Sequence, residues 1–263
     1  MAFRSTRIPA LGALAALSVA VVQPASAHPH VWVSVETTVI YDNQTITGLR
    51  QRWLFDEFYS SMAIQGLDAN GDGIYDRSEL AELAKVNIEG LKEFDYFTFA
   101  KLGNQPLAFD APTDFLMEHT ETAEPPSQDS GMSAAAAGVD EPRQSGSFWT
   151  KLSSYLTGPA KPQKPKVVAL EFTLPLQQPV LAEAENFNFS TYDPSFFIWF
   201  DLAKDNPVKL ADGAPAGCKV DVDAPLKDGQ EQLQQLGEAA FEPNDGVKIS
   251  FGLGRTVTVS CPK

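Results

Sequence analysis

Apolar and polar residues alternate from Val31 to Ile40 (VWVSVETTVI), and the run is rich in β-branched side chains, so it predicts a strand with one buried face. Asp42-Asn43-Gln44-Thr45 reads as a turn and Ile46 to Phe55 resumes strand character, which together predict a hairpin. The period then changes. Asp56 to Leu67 and Arg77 to Phe94 carry apolar residues at helical spacing, separated by a loop rich in Asp and Gly, before Tyr96-Phe97-Thr98-Phe99 returns to strand. Beyond Lys166 the strand pattern recurs over Val167–Leu174, Phe187–Tyr192, Phe196–Leu202, Lys219–Asp223 and Thr256–Ser260, while Lys227 to Ala240 predicts a helix. The sum is an α+β fold: an antiparallel, β-sandwich-like body with a helix pair inserted after the first hairpin.

Composition divides the chain further. Arg4 and Arg7, the apolar run Ile8 to Val22 and the Ala-x-Ala ending at Ala27 form the pattern of a cleaved signal peptide over residues 1–27. The run is too short to span a bilayer, so the mature form is expected not to span the membrane and to reside in the periplasm. Residues 28–119 hold the hairpin and the helical insertion. Residues 120–166 are rich in Pro, Ala, Ser and Gly and read as a mobile insertion, and 167–263 complete the same domain. Within the insertion, Ser147 to Thr157 (SFWTKLSSYLT) places Phe148, Trp149, Leu152, Tyr155 and Leu156 on one helical face. It fits either a short helix that packs back on the domain or a docking peptide.

The net charge is −14, from 20 basic and 34 acidic residues, and it excludes a general nucleic-acid binder. Cleavage after Ala27 removes two Arg and no acid, deepening the charge to about −16. In an oxidising compartment the two cysteines, Cys218 and Cys261, predict a disulfide. No Gly-x-Ser-x-Gly elbow, Walker loop or dinucleotide fingerprint is present, so an enzyme is not expected.

Two clusters carry candidate chemistry. Asp68-Ala69-Asn70-Gly71-Asp72-Gly73-Ile74-Tyr75-Asp76-Arg77-Ser78-Glu79 matches the twelve-residue EF-hand spacing. Asp68, Asn70, Asp72, Asp76 and Glu79 supply side-chain oxygens at positions one, three, five, nine and twelve. Ile74 offers its carbonyl at position seven, and Gly73 allows the turn at position six. A calcium ion needs six or more oxygens at once, which this spacing provides; the alternative is a solvated acidic turn. In an exported protein such a calcium loop is expected to be structural.

The second cluster is made of histidine, of which the chain has three. Cleavage makes His28 the first residue, where amine and imidazole chelate together, with Pro29 and His30 following. Nitrogen ligands of this kind suit zinc, nickel, cobalt or copper. His119, beside Glu118 and Glu121, is a candidate third histidine if the chain brings it to His28 and His30.

The segments His28-Pro29-His30-Val31-Trp32-Val33, Trp53-Leu54-Phe55-Asp56, the Asp68 to Glu79 loop with Tyr96-Phe97-Thr98 after it, and Tyr192-Asp193-Pro194-Ser195-Phe196-Phe197 resemble a family of exported bacterial proteins. That family is described as periplasmic components of metal transport systems, encoded beside NicO-type nickel/cobalt transporters. The resemblance covers most of residues 28–119 and 166–205. It implies a metal-binding accessory that exchanges zinc, nickel or cobalt with an inner-membrane metal transporter. Two other readings stand beside it: a calcium-stabilised protein-interaction domain without a transition-metal role, and a copper oxidative enzyme using His28.

Overall fold

Alternation over residues 31–42 and 45–55 produces the first hairpin, β1 (Val31–Asp42) and β2 (Thr45–Phe55), antiparallel across the turn at Asn43 and Gln44. On β1 every odd-numbered residue from Val31 to Tyr41 is buried, so this face meets the core. The computed structural model describes residues 30–123, 125–126, 164–195, 197–223 and 254–262. The signal-like segment, His28, the Ser147–Thr157 island and the Lys227–Ala240 helix expectation all lie outside the described residues.

After β2 the chain forms two helices, α1 (Glu57–Ala63) and α2 (Ala81–Leu91), on either side of residues 68–79. Both are shorter than their apolar pattern predicts. Gly66, with φ +78°, turns the chain out of α1, and Ser78 and Glu79 are engaged by the loop before α2 starts. Ser60 fixes α1 beside the sheet, its Oγ accepting the Val168 N–H at 2.9 Å. A 3-10 turn, Lys92–Phe97, follows α2 and occupies the start of the expected Tyr96–Phe99 strand. Asp95, Tyr96 and Phe97 have φ of +51°, +53° and +46° there, each in the left-handed region that costs a non-glycine residue about 1–2 kcal/mol. Burial of Tyr96 and Phe97 and the Tyr192 N–H donated to the Phe97 carbonyl at 2.9 Å hold the turn.

The remaining strands are β3 (Thr98–Leu102), β4 (Gln105–Leu107), β5 (Thr113–Glu121), β6 (Lys166–Leu181), β7 (Phe187–Thr191), β8 (Ile198–Leu202), β9 (Val208–Leu210), β10 (Lys219–Val222) and β11 (Thr256–Ser260). They form two sheets. The first has the order β5-β6-β2-β1-β8, with β9 also on β1; the second runs β10-β11-β7-β3-β4. The second sheet is antiparallel throughout, but β8 and β9 run parallel to β1, so the first is mixed rather than antiparallel as expected. The crossover from β7 is turned by buried Asp193, whose carboxylate accepts the N–H groups of Ser195 (2.7 Å) and Ile198 (2.9 Å). That loop delivers β8 to the free edge of β1.

One apolar cluster joins Val39, Ile46 and Leu49 of the first sheet to Phe187, Phe189, Val257 and Val259 of the second, so the two sheets share a core. A second cluster lies beneath the helices: Val33, Trp53, Phe172 and Leu170 meet Leu80, Ala84, Ile88 and Phe97. Trp53 is its centre, edge-on to Phe172 and Phe200 at 4.9 Å each. On the outer face of the first sheet, Arg52 bridges Glu36 (3.5 Å) and Glu171 (3.0 Å) across three strands.

The antiparallel pair β5–β6 runs to Glu121↔Lys166, past the expected boundary at residue 119. The Pro/Ala/Ser-rich segment is therefore the connection of a hairpin. Cys218 and Cys261 are disulfide-bonded across the ends of β10 and β11, as expected. Among the described residues no helix is long and apolar enough to cross a membrane.

Candidate metal centre

Residues 68–79 are organised by their own side chains. Asp68 accepts backbone N–H groups through both oxygens, from Gly71 (2.8 Å) and Asp72 (3.2 Å) on Oδ1 and from Gly73 (2.9 Å) on Oδ2. Asn70 Oδ1 accepts from Asp72 at 2.8 Å, and Asp72 Oδ1 from Ile74 at 2.7 Å. These Asx turns fold the first half of the loop around its acidic side chains. Gly71 and Gly73 have φ of +74° and +75°, and Gly73 stands at the turn where the spacing requires it.

The second half is closed by Asp76 and Glu79. Asp76 Oδ1 accepts the Ser78 N–H (2.8 Å), the Ser78 hydroxyl (2.6 Å) and the Glu79 N–H (3.0 Å), and these bonds, the hydroxyl foremost, hold its carboxyl below the usual range. Glu79 reaches back across the loop, Oε1 accepting from Ala69 at 2.9 Å and Oε2 from Asp76 at 3.1 Å. The side chain at position twelve thus joins the two ends of the loop. Six candidate oxygen donors, Asp68, Asn70, Asp72, Ile74, Asp76 and Glu79, therefore share one short turn, and the donor set suits a hard cation. As the side chains stand, no three His, Cys, Asp or Glu groups among the described residues converge on one point, so coordination requires carboxylates to turn inward.

The histidines are arranged differently. His30 precedes β1, is exposed, and packs its ring against Phe197 at 4.9 Å. His119 lies on β5, opposite Val168. Continuing the pairing through Ala169↔Leu54 and Phe55↔Val33 places His119 level with Val33, three strands from β1. The separation across the sheet alone is about 14 Å at ordinary strand spacing. Two imidazoles each about 2 Å from one ion cannot bridge that distance once the further offset to His30 is added. His30 and His119 are not brought together.

His119 instead adjoins the acidic loop. Its ring meets Tyr75 edge-on, with centroids 5.2 Å apart. Burial first, and then the Lys166 ammonium, hold its imidazole below the usual histidine range, which favours the neutral ring. Neighbouring Glu118 pairs with Arg77. The EF-hand pattern leaves its eighth and tenth positions unspecified, so spacing alone does not single out Tyr75 and Arg77. Their bulk and charge in a loop of small acidic residues were the available signal.

A family model described as "Protein of unknown function (DUF1007)" matches residues 13–261. An uncharacterized 15.5 kDa protein from the trpE 3′ region of Spirochaeta aurantia is 41% identical over 49 residues, which is 19% of this chain and 35% of that protein. The chain thus spans about a third of the length of that relative. No solved structure matches.

Proposed function

The chain belongs to the DUF1007 family, and from that premise we propose that it is an exported metal-binding accessory: a two-sheet, sandwich-like body with an EF-hand-like helix pair, holding calcium in residues 68–79. The observation that carries the reading is the closure of the loop by Glu79, the bidentate position of the pattern, onto the backbone of Ala69 and Asp76. Asp68, Asn70, Asp72, Asp76 and Glu79 would hold the ion with the Ile74 carbonyl. Calcium there supplies charge neutralisation and rigidity. Zinc, nickel or cobalt is bound at the mature N-terminus by His28 and His30, in the periplasm, for exchange with an inner-membrane transporter.

The distance between His30 and His119 leaves an N-terminal transition-metal site without that third histidine, and a second reading drops the transition metal. Here the protein is a calcium-stabilised interaction domain, and the histidines have no shared metal role.

Titration calorimetry of the processed chain with Ca²⁺, Zn²⁺, Ni²⁺ and Co²⁺ separates the two. On the first reading, Glu79→Gln removes calcium binding and leaves the transition metal, and His28→Ala with His30→Ala does the reverse. Loss of neither metal on these substitutions rejects both sites, and absence of transition-metal binding in the processed wild type leaves the second reading.

A further inference from the structure

Two side chains of the acidic loop hold one strand from opposite faces. Successive residues of a strand point to opposite sides of its sheet, so Glu118 and His119 face apart. Tyr75 meets His119 edge-on on one side, and Arg77 pairs with Glu118 on the other. The strand they straddle, β5, ends the first sheet and pairs with β6 alone among the described strands. Met117, on the His119 face, is buried in the cluster that also contains Ala84 and Ile88 of α2. The loop and its following helix thus close over the sheet edge, which natural sheets commonly protect.

Tyr75 and Arg77 are also interleaved with the candidate calcium ligands. Tyr75 lies between Ile74 and Asp76, and Arg77 between Asp76 and Glu79. The backbone around them is fixed by the Asp72, Asp76 and Glu79 carboxylates. Drawing β5 away from β6 pulls on both contacts and so on the ligand oxygens either side of them. Any cation that binds the closed loop more tightly than the strained one opposes that opening.

We infer that occupancy of the 68–79 loop is transmitted through Tyr75–His119 and Arg77–Glu118 to the β5–β6 pair, setting the order of the hairpin root at Glu121 and Lys166. This rests on the calcium reading above. The coupling is mechanical: it needs no change of charge at His119, only that both contacts persist while the ligands are held.

Amide hydrogen exchange of the full chain, with and without Ca²⁺ at a hundredfold excess over its measured Kd, tests it. If opening of β5 must release the loop, calcium slows exchange across Phe115–Glu121 by up to about a hundredfold. A Tyr75→Ala, Glu118→Ala variant removes both contacts and no proposed calcium ligand. In it the slowing of β5 falls below about threefold, while calcium still binds and β7 amides exchange as in the wild type. Equal slowing of β5 in both proteins, or none in the wild type despite calcium binding, overturns the coupling alone. Absence of calcium binding removes the calcium reading and the coupling with it.

Discussion

The Asp56 carboxylate accepts the backbone N–H of Trp32 through Oδ2 at 2.9 Å, tying the beginning of β1 to the beginning of α1. The bond is reciprocated, because the Asp56 N–H donates to the Trp32 carbonyl at 3.0 Å. Oδ1 accepts from Tyr59 at 2.8 Å, so the same side chain is the N-cap of the helix. One buried residue ends the sheet ladder and starts the helical insertion.

Replacing Asp56 with alanine removes a cap and strands a half-buried N–H. A cap is worth about 1 kcal/mol and an unsatisfied buried donor about 1–3 kcal/mol. The expected loss is about 2–4 kcal/mol, read as a lower urea midpoint at unchanged slope. Asp56→Asn retains one acceptor and loses less. An alanine variant within about 0.5 kcal/mol of wild type contradicts this role.

His119 makes stability depend on pH. Its folded-state value lies below the ordinary 6.5, so the unfolded chain binds more protons between the two. The stability contributed by the neutral ring is complete above pH 6.5 and is lost as pH falls through the depressed folded value. A proton-shift titration is expected to find a midpoint under 6.5, and between pH 7 and 5 the wild type loses more stability than His119→Gln. A midpoint above 6.5 reverses the sign.

The Cys218–Cys261 bond spans a sequence separation of 43. Loop-closure entropy for such a span is worth about 4 kcal/mol in the unfolded state. Cys218→Ser with Cys261→Ser is expected to lower the urea midpoint accordingly, with β10 and β11 the first to lose exchange protection. A double variant as stable as the wild type refutes the estimate.

Asp95 is exposed and held at φ +51° without the conformational freedom that glycine has. Asp95→Gly relieves about 1 kcal/mol of backbone strain, less a part returned as unfolded-chain entropy. The expected outcome is a small gain in thermal midpoint. Loss of stability instead shows that the Asp95 side chain supports the turn.

What could be read from sequence follows from what is local. The β1–β2 hairpin is legible because Val31, Val33, Val35, Val39 and Tyr41 face one way and the residues between face the other. The acidic loop is legible because its turns are made by side chains within five residues of their partners, apart from the return of Glu79. Strand β5 carries no alternating apolar pattern that would reveal it. Thr113, Asp114, Glu118, His119 and Glu121 give it a polar composition, and as an edge strand it has Met117 as its one buried side chain. The parallel placement of β8 and the distance between His30 and His119 depend on strand order, which arises from long-range pairing that no short pattern encodes. The disulfide required no geometry, since two cysteines allow one intramolecular pairing.

The hairpin of β5 and β6 has a practical consequence. Thr122 N–H donates to the Pro165 carbonyl at 3.0 Å, so the two ends of the connecting segment are held side by side. The last pair of that ladder, Glu121↔Lys166, sets the span that a connecting segment has to close. Doubling its length costs only about 0.6 kcal/mol in closure entropy. The closed pair makes a splice site by closure entropy alone: an insert with neighbouring termini placed between residues 122 and 165 adds little to the cost of bringing the two strands together.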